Sequence, residues 1–308
     1  MHILVTGGAG FIGSNLCDYL AIKGCQVSVV DDLSSGDISN LSSVIDSINF
    51  YHEKIEVFNF NKLSNVDSVI HLAAQVSVNI SISSFGTSSS SNVLGAIKVI
   101  DYCRLNQIPL IYASSAAIYG NLEVSDDLDS KIDLLSPYAS DKYMLEIYAK
   151  TAYKNFQLSS IGLRFFNVYG PRQDPNNPYS GVISIFIDRL LDNKNITING
   201  GDQTRDFIYV QDVVKVIFKS VVLTKSSKVC EQVNVLTGKS ISIDKLATLL
   251  MEKITLNVEK EYSILSKGDP KGSEGTTKKI ENLLKIDVND MVSIEDGLSK
   301  TIKFIIDE

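Results

Sequence analysis

Thr6-Gly7-Gly8-Ala9-Gly10-Phe11-Ile12-Gly13 follows directly on the apolar run His2-Ile3-Leu4-Val5 and opens a helical pattern that reaches about Gly24. Glycines at 7, 10 and 13, in a turn between a strand and a helix, let the backbone come close to a pyrophosphate. The open N–H groups and the positive end of the helix dipole then hold that anion. A second strand-like run, Gln26-Val27-Ser28-Val29-Val30, ends at Asp31. A carboxylate there accepts hydrogen bonds from the adenine ribose hydroxyls and repels a 2′-phosphate, which favours NAD over NADP. The competing reading is a tight turn that binds nothing. Strand, glycines, helix, strand and acid in that order argue against it.

Working outward, apolar strand-like runs at 2–6, 26–31, 48–52, 68–73, 108–114 and 159–166 alternate with helical patterns at about 12–23, 92–106 and 137–155. That alternation predicts an α/β fold, a doubly wound parallel Rossmann sheet. Ser81 to Ser91 is dominated by serine and reads as a loose loop or a poorly formed helix start. After Asn167 the texture changes, with Pro171, Pro175 and Pro178 in one loop, a helix from about Gly181 to Asn193, the run Ile196-Thr197-Ile198, and a helix near Ile243–Lys253. These predict a smaller C-terminal α/β lobe. The expected division is 1–167 with 211–237 for the dinucleotide-binding domain, and 168–210 with 238–308 for the substrate lobe.

The 308 residues carry a formal net charge of −7, which argues against nucleic acid or an anionic membrane as partner. No apolar run approaches the length of a membrane span, and the first residues already read as a strand rather than a leader. Cys17, Cys25, Cys103 and Cys230 form no C-x-x-C pair, so reduced thiols, a cytoplasmic setting and no metal are expected.

A second decisive stretch is Ser136-Pro137-Tyr138-Ala139-Ser140-Asp141-Lys142. Ser136 suits an N-cap and Pro137 the first helical turn. Tyr138 and Lys142 then share one helix face. A phenol beside an ammonium and an oxidised nicotinamide is expected to have a depressed pKa and to serve as a general base. The run Tyr112-Ala113-Ser114-Ser115 ends the fifth strand, where strand C-termini face the ligand crevice. A hydroxyl at Ser115 can bond a substrate oxygen and the phenol, with Ser114 as support.

With these stretches on the page, the chain resembles the extended short-chain dehydrogenase/reductase family, and within it the nucleotide-sugar 4-epimerases. The resemblance runs nearly end to end. It rests on the glycine segment 6–14, D-D-L-S-S-G at 31–36, H-L-A-A-Q at 71–75, S-S-A-A-I-Y-G at 114–120 and P-Y-A-S-D-K at 137–142. It continues through L-R-F-F-N-V-Y-G-P-R at 163–172 and Q-T-R-D-F-I-Y-V-Q-D-V at 203–213. It implies Ser115, Tyr138 and Lys142 as the catalytic triad. Gly7, Gly10, Phe11, Ile12, Gly13, Asp31, Asp32, Ser35, Gly36, Leu72, Ala73, Ala74 and Gln75 match cofactor positions, joined by Tyr138 and Lys142. Ser77, Asn167, Val182, Arg205, Asp269 and Ser273 match substrate positions, with Asn167 and Arg205 on the diphosphate. An arginine fork suits phosphate oxygens, although Arg205 could instead partner Asp206. The implied activity is C4 epimerisation of a UDP-hexose through a transient 4-keto sugar, and the implied assembly is a homodimer through the helices at 92–106 and 137–155.

The chain departs from the family pattern in places. Lys54 replaces the acid after the third strand that contacts adenine, which leaves the choice of NAD resting on Asp31. Ser266-Lys267-Gly268-Asp269 lacks the family's diphosphate arginine, with Lys267 the nearby cation. Ser273 is small where the family borders the sugar 2-substituent, so N-acetylated hexosamines are expected to enter. A 4,6-dehydratase would carry Asp-Glu where Ala116 and Ala117 stand. A UDP-glucuronate 4-epimerase or decarboxylase remains open, as does a non-catalytic NAD-sensing protein, which the intact triad disfavours.

Overall fold

Strands covered on both faces must be apolar throughout. Ile3, Leu4, Val5, Val29, Val69, Ile70, Leu110 and Ile111 are inaccessible to solvent. In a computed structural model, which describes residues 1–175, 181–256, 258–264 and 271–307, the first half of the chain runs β1 (His2–Thr6), α1 (Phe11–Ile22), β2 (Gln26–Asp31), β3 (Ile48–His52), β4 (Ser68–His71), α2 (Val78–Ser83), α3 (Phe85–Asn106), β5 (Leu110–Ser115), α4 (Pro137–Phe156) and β6 (Ser160–Phe165). There follow β7 (Asn167–Tyr169), α5 (Val182–Leu191), β8 (Ile196–Asn199), β9 (Thr204–Tyr209), α6 (Val210–Ser226), β10 (Cys230–Val235), β11 (Ser240–Ser242), α7 (Ile243–Ile254), β12 (Lys260–Ser263), α8 (Lys278–Leu284) and α9 (Ile294–Asp307).

The large sheet has seven strands in the order β10-β6-β5-β4-β1-β2-β3. Its β3–β2, β2–β1, β1–β4 and β4–β5 pairs are parallel. This is the doubly wound α/β architecture expected from the alternation. Chain order reverses between β1 and β4, and such a switch point opens a crevice at the strand C-termini. The glycine turn after β1 and the 72–75 segment after β4 both begin there.

The chain divides into two compact units, 1–118 with 134–164 and 214–233, and 119–133 with 165–213 and 234–308. In the second unit β9 lies between β11, antiparallel to it, and β7, parallel to it, while β12 pairs with β8. Its core gathers Tyr169, Phe186, Ile187, Leu190, Ile198, Leu246, Leu250 and Leu298.

The serine-rich segment 81–91 is helical, split between α2 and α3. Tertiary contacts override the weak helix preference of serine. Ser77 Oγ caps α2 by accepting from Ile80 N at 3.1 Å, Ser81 Oγ accepts from Tyr138 N at 3.2 Å, and Ser88 is buried against Gln75. At α4 the local signals hold: Ser136 Oγ accepts from Ala139 N at 3.2 Å and Pro137 takes the first helical position. Among the described residues no helix is long and apolar enough to cross a membrane.

Candidate active site

The glycine turn is shaped for a close ligand. Gly7 has φ +74°, and a Cβ there would stand 2.7 Å from Ala73 N. A Cβ at Gly13 would stand 2.1 Å from Gly7 O, and one at Gly36 would stand 2.8 Å from Ala9 C. Gly10 precedes α1 and no side chain caps that helix, so its first-turn N–H groups are left for an anion. Asp31 Oδ2 accepts from Ala9 N at 2.8 Å and Oδ1 from Leu33 N at 2.9 Å. Burial pushes the Asp31 carboxyl up, and these two N–H groups pull it back. The acid therefore ties the glycine turn to β2, while each oxygen retains acceptor capacity for a ribose hydroxyl. The Asp32-to-Gly36 segment closes onto the same turn, where Asp37 N donates to Ala9 O at 3.1 Å. The residues thus fit a dinucleotide.

Ser115, Tyr138 and Lys142 come together in the first unit. Ser115 ends β5, and Tyr138 and Lys142 stand one turn apart on α4. Lys142 Nζ donates to Ala113 O at 2.9 Å and lies 5.8 Å from the Tyr138 ring centre. Burial pulls the Lys142 ammonium down to about 8, with the Asp141 charge opposing. The sequence leads one to expect a depressed Tyr138 pKa beside an ammonium and an oxidised nicotinamide; the chain's own groups alone push it up. Burial of the phenol oxygen disfavours the phenolate, the Ser115 hydroxyl facing it pulls the other way, and the Asp141 charge pushes further up. Tyr138 as a whole residue is half-buried.

The segment after β4 is anchored from beneath. Thr6 Oγ1 accepts from Ala73 N at 3.2 Å and meets His71 Nδ1 at 2.7 Å. Burial, with the Lys142 charge adding to it, holds the His71 imidazole neutral, at about 3. Leu72, Ala73, Ala74 and Gln75 are thereby fixed beside Gly7.

In the second unit, Asn167 on β7 pairs with Phe207 of β9, and Arg205 lies two residues earlier on the same face of that strand. Asp206 accepts from Thr237 N and Oγ1 at 2.9 Å and from Lys239 N at 3.0 Å. Its carboxylate is therefore committed to the 237–239 turn rather than held for Arg205. Val182 opens α5. Ser273 is half-buried, and its carbonyl accepts from Ser240 Oγ at 3.0 Å. Asp269 and Lys267 lie outside the described residues. Ser77, expected near the substrate, is occupied at its oxygen by the α2 cap.

A buried network escaped sequence reasoning. Arg164 of β6 donates from Nε to Glu146 Oε1 at 2.9 Å and from Nη2 to Oε2 at 2.7 Å, and Ser114 Oγ donates to Oε1 at 2.6 Å. The Glu146 side chain is 0% exposed. Glu146 lies one turn beyond Lys142 on α4, and that spacing was the one available signal. The network locks β5, β6 and α4 together, with Ser114 next to Ser115 in the chain.

A family model described as the NAD dependent epimerase/dehydratase family matches residues 3–235. A UDP-glucose 4-epimerase of Mycolicibacterium smegmatis is 31% identical over 99% of this chain and 98% of its own length. Among solved structures, a UDP-glucose 4-epimerase of Thermotoga maritima with UDP-glucose superposes with a TM-score of 0.92 at 34% identity, covering 100% of this chain and 99% of that one. A UDP-N-acetylglucosamine 4-epimerase of Methanobrevibacter ruminantium, in complex with UDP-N-acetylmuramic acid, gives 0.91 at 32% identity and covers 99% and 98%. The glycine turn and the Asp31 anchor lie inside the matched span, and with them this chain belongs to the NAD dependent epimerase/dehydratase family.

Proposed function

We propose that this enzyme inverts C4 of a UDP-hexose and that it takes N-acetylhexosamines as well as the plain hexoses. The observation that carries this reading is the gathering of Ser115, Tyr138 and Lys142 beside a glycine turn fitted to a dinucleotide. NAD, when bound, supplies a reversible acceptor for the C4 hydrogen. Tyr138 takes the proton of the sugar 4-hydroxyl, and Ser115 hydrogen bonds the reacting oxygen. Lys142 places positive charge under the phenol, which favours the phenolate and holds the nicotinamide ribose. With the 4-keto sugar turned over in the site, the hydrogen accepted by bound NAD would return to its other face, and Tyr138 gives the proton back to the 4-oxygen. Asn167, Val182, Arg205 and Ser273 are the proposed contacts to the nucleotide sugar. Among the described residues the four cysteines form no disulfide, in keeping with a cytoplasmic setting.

Incubation with UDP-glucose, UDP-N-acetylglucosamine and UDP-glucuronate without added NAD, followed by proton NMR, tests the activity. Growth of the axial C4 epimer from the first two is expected. Turnover of UDP-glucuronate alone would transfer the enzyme to the uronate reading. At Ser273 a tyrosine is expected to fill the space beside the sugar 2-substituent. Ser273→Tyr should lower kcat/KM for UDP-N-acetylglucosamine at least about tenfold relative to UDP-glucose, a ratio within reach of steric discrimination. An unchanged ratio would remove Ser273 from the specificity site.

A homodimer is the proposed assembly. Leu94 and Leu105 on α3, and Met144, Ile147 and Tyr148 on α4, leave apolar surface exposed, the α4 residues one turn apart. Sedimentation velocity is expected to show a two-chain particle that Met144→Glu with Ile147→Glu dissociates. A wild-type monomer at micromolar concentration would overturn this.

A further inference from the structure

The stretch Tyr138-Ala139-Ser140-Asp141-Lys142 contains a charged side chain that the proposed mechanism does not use. Asp141 stands between the two catalytic residues in sequence and lies one turn from Tyr138 on α4. It is 8% exposed, and among the described residues no cation forms an ion pair with it. A lone buried carboxylate is costly unless hydrogen bonds or a nearby positive charge stabilise it.

Its hydrogen bond comes from α3. Asn92 Nδ2 donates to Asp141 Oδ2 at 3.0 Å and also to Gln75 O at 3.1 Å, while Asn92 Oδ1 accepts from Gln75 N at 2.7 Å. One amide therefore uses both its hydrogens and its oxygen to tie α4 to the segment after β4. That segment is the one pressed against Gly7. The carboxylate is thus fixed and buried, and its charge is felt at both the phenol and the ammonium.

We propose that Asp141 is a positioning residue of the triad: its buried negative charge, hung from Asn92, keeps Lys142 an ammonium and sets the pH at which Tyr138 becomes a base. The role rests on the triad reading above. The groups facing the pair support it. From β4 comes His71, held neutral by burial and the Lys142 charge. From β5 come the Ser115 hydroxyl and the Ala113 carbonyl. α2 offers the uncharged Ser81, and α3 the uncharged Asn92. One turn further on α4, Glu146 is neutralised by Arg164. Asp141 is therefore the one facing anion not matched by its own cation. Burial works against the Lys142 charge, bringing it to about 8, and the Asp141 charge opposes that fall. The same charge raises Tyr138.

The test is Asp141→Asn, which keeps the shape and an oxygen for Asn92 while removing the charge. Lysine [13Cε] NMR, with Lys142 assigned through Lys142→Met, reads the ammonium without substrate. Its titration is expected to move to lower pH by about one unit. Both limbs of the kcat/KM profile should move to lower pH with it, which lost packing alone would not produce. Should Asp141→Asn fold poorly, Asp141→Ser serves with the same expectation. An unmoved Lys142 titration, or an unmoved activity profile, overturns the proposal. The two readings fail separately: a protein with a shifted Lys142 that epimerises no UDP-sugar loses its proposed substrate and keeps this charge device.

Discussion

Tyr138→Phe is expected to lower kcat by about 10²- to 10⁴-fold, the range that one positioned general base contributes. The substitution removes a single oxygen and leaves the ring, so helix α4 and its Ser136 cap stay as they are. Burial raises the phenol above its ordinary value, so the wild-type rate should climb as pH rises and the proton leaves, until loss of the Lys142 proton at about 8 turns it over. In the variant that acid limb should vanish, because nothing remains there to ionise. The melting temperature should fall only slightly, since one neutral hydrogen bond contributes about 0.5–1.5 kcal/mol. Steady-state kinetics between pH 6 and 9, together with a thermal melt, check both statements. A variant with a rate within tenfold of wild type and an intact acid limb would show that another group takes the proton.

Glu146→Ala acts on stability instead. The side chain receives two hydrogen bonds from Arg164 and one from Ser114. Removing it leaves the Arg164 guanidinium, 6% exposed, without its carboxylate. Breaking a buried pair from one side costs about 3–5 kcal/mol, because the remaining charge is stranded away from water. A domain of ordinary stability has about 5–15 kcal/mol in all, so a large drop in the denaturation midpoint is expected. Urea unfolding followed by circular dichroism measures it. A loss below about 1 kcal/mol would mean that water or another acceptor reaches Arg164. The same variant frees Ser114, the neighbour of Ser115, so turnover should fall even under conditions where the protein remains folded.

These two positions differ in how far the sequence foretells them. Tyr138 and Lys142 could be placed on one face because helical spacing is local, and Pro137 and Ser136 mark the helix start within three residues. Gly7, Gly13 and Asp31 were readable for the same reason, since strand, turn and helix each announce themselves over a few positions. The Glu146 network has no such signature. It joins partners 18 and 32 residues apart, and nothing in an isolated glutamate marks it as buried. Asp141 is similar, being matched to Asn92 across 49 residues. The serine-rich 81–91 segment was half legible. Its composition allows a loose loop or a poorly formed helix start, and contacts with Gln75 and Tyr138 hold it helical.

The chain's own order of residues was enough to determine a parallel sheet and a glycine turn between strand and helix, and to set Tyr138 and Lys142 on one helix face, because periodicity, glycine conformation and helical spacing act over neighbours. Only the folded protein decided how deeply the phenol lies, which anion faces the ammonium, and which carboxylates were already taken by Thr237, Arg164 or Ala9. Dehydration and charge pairing depend on everything packed around a group, and most of that arrives from distant parts of the chain.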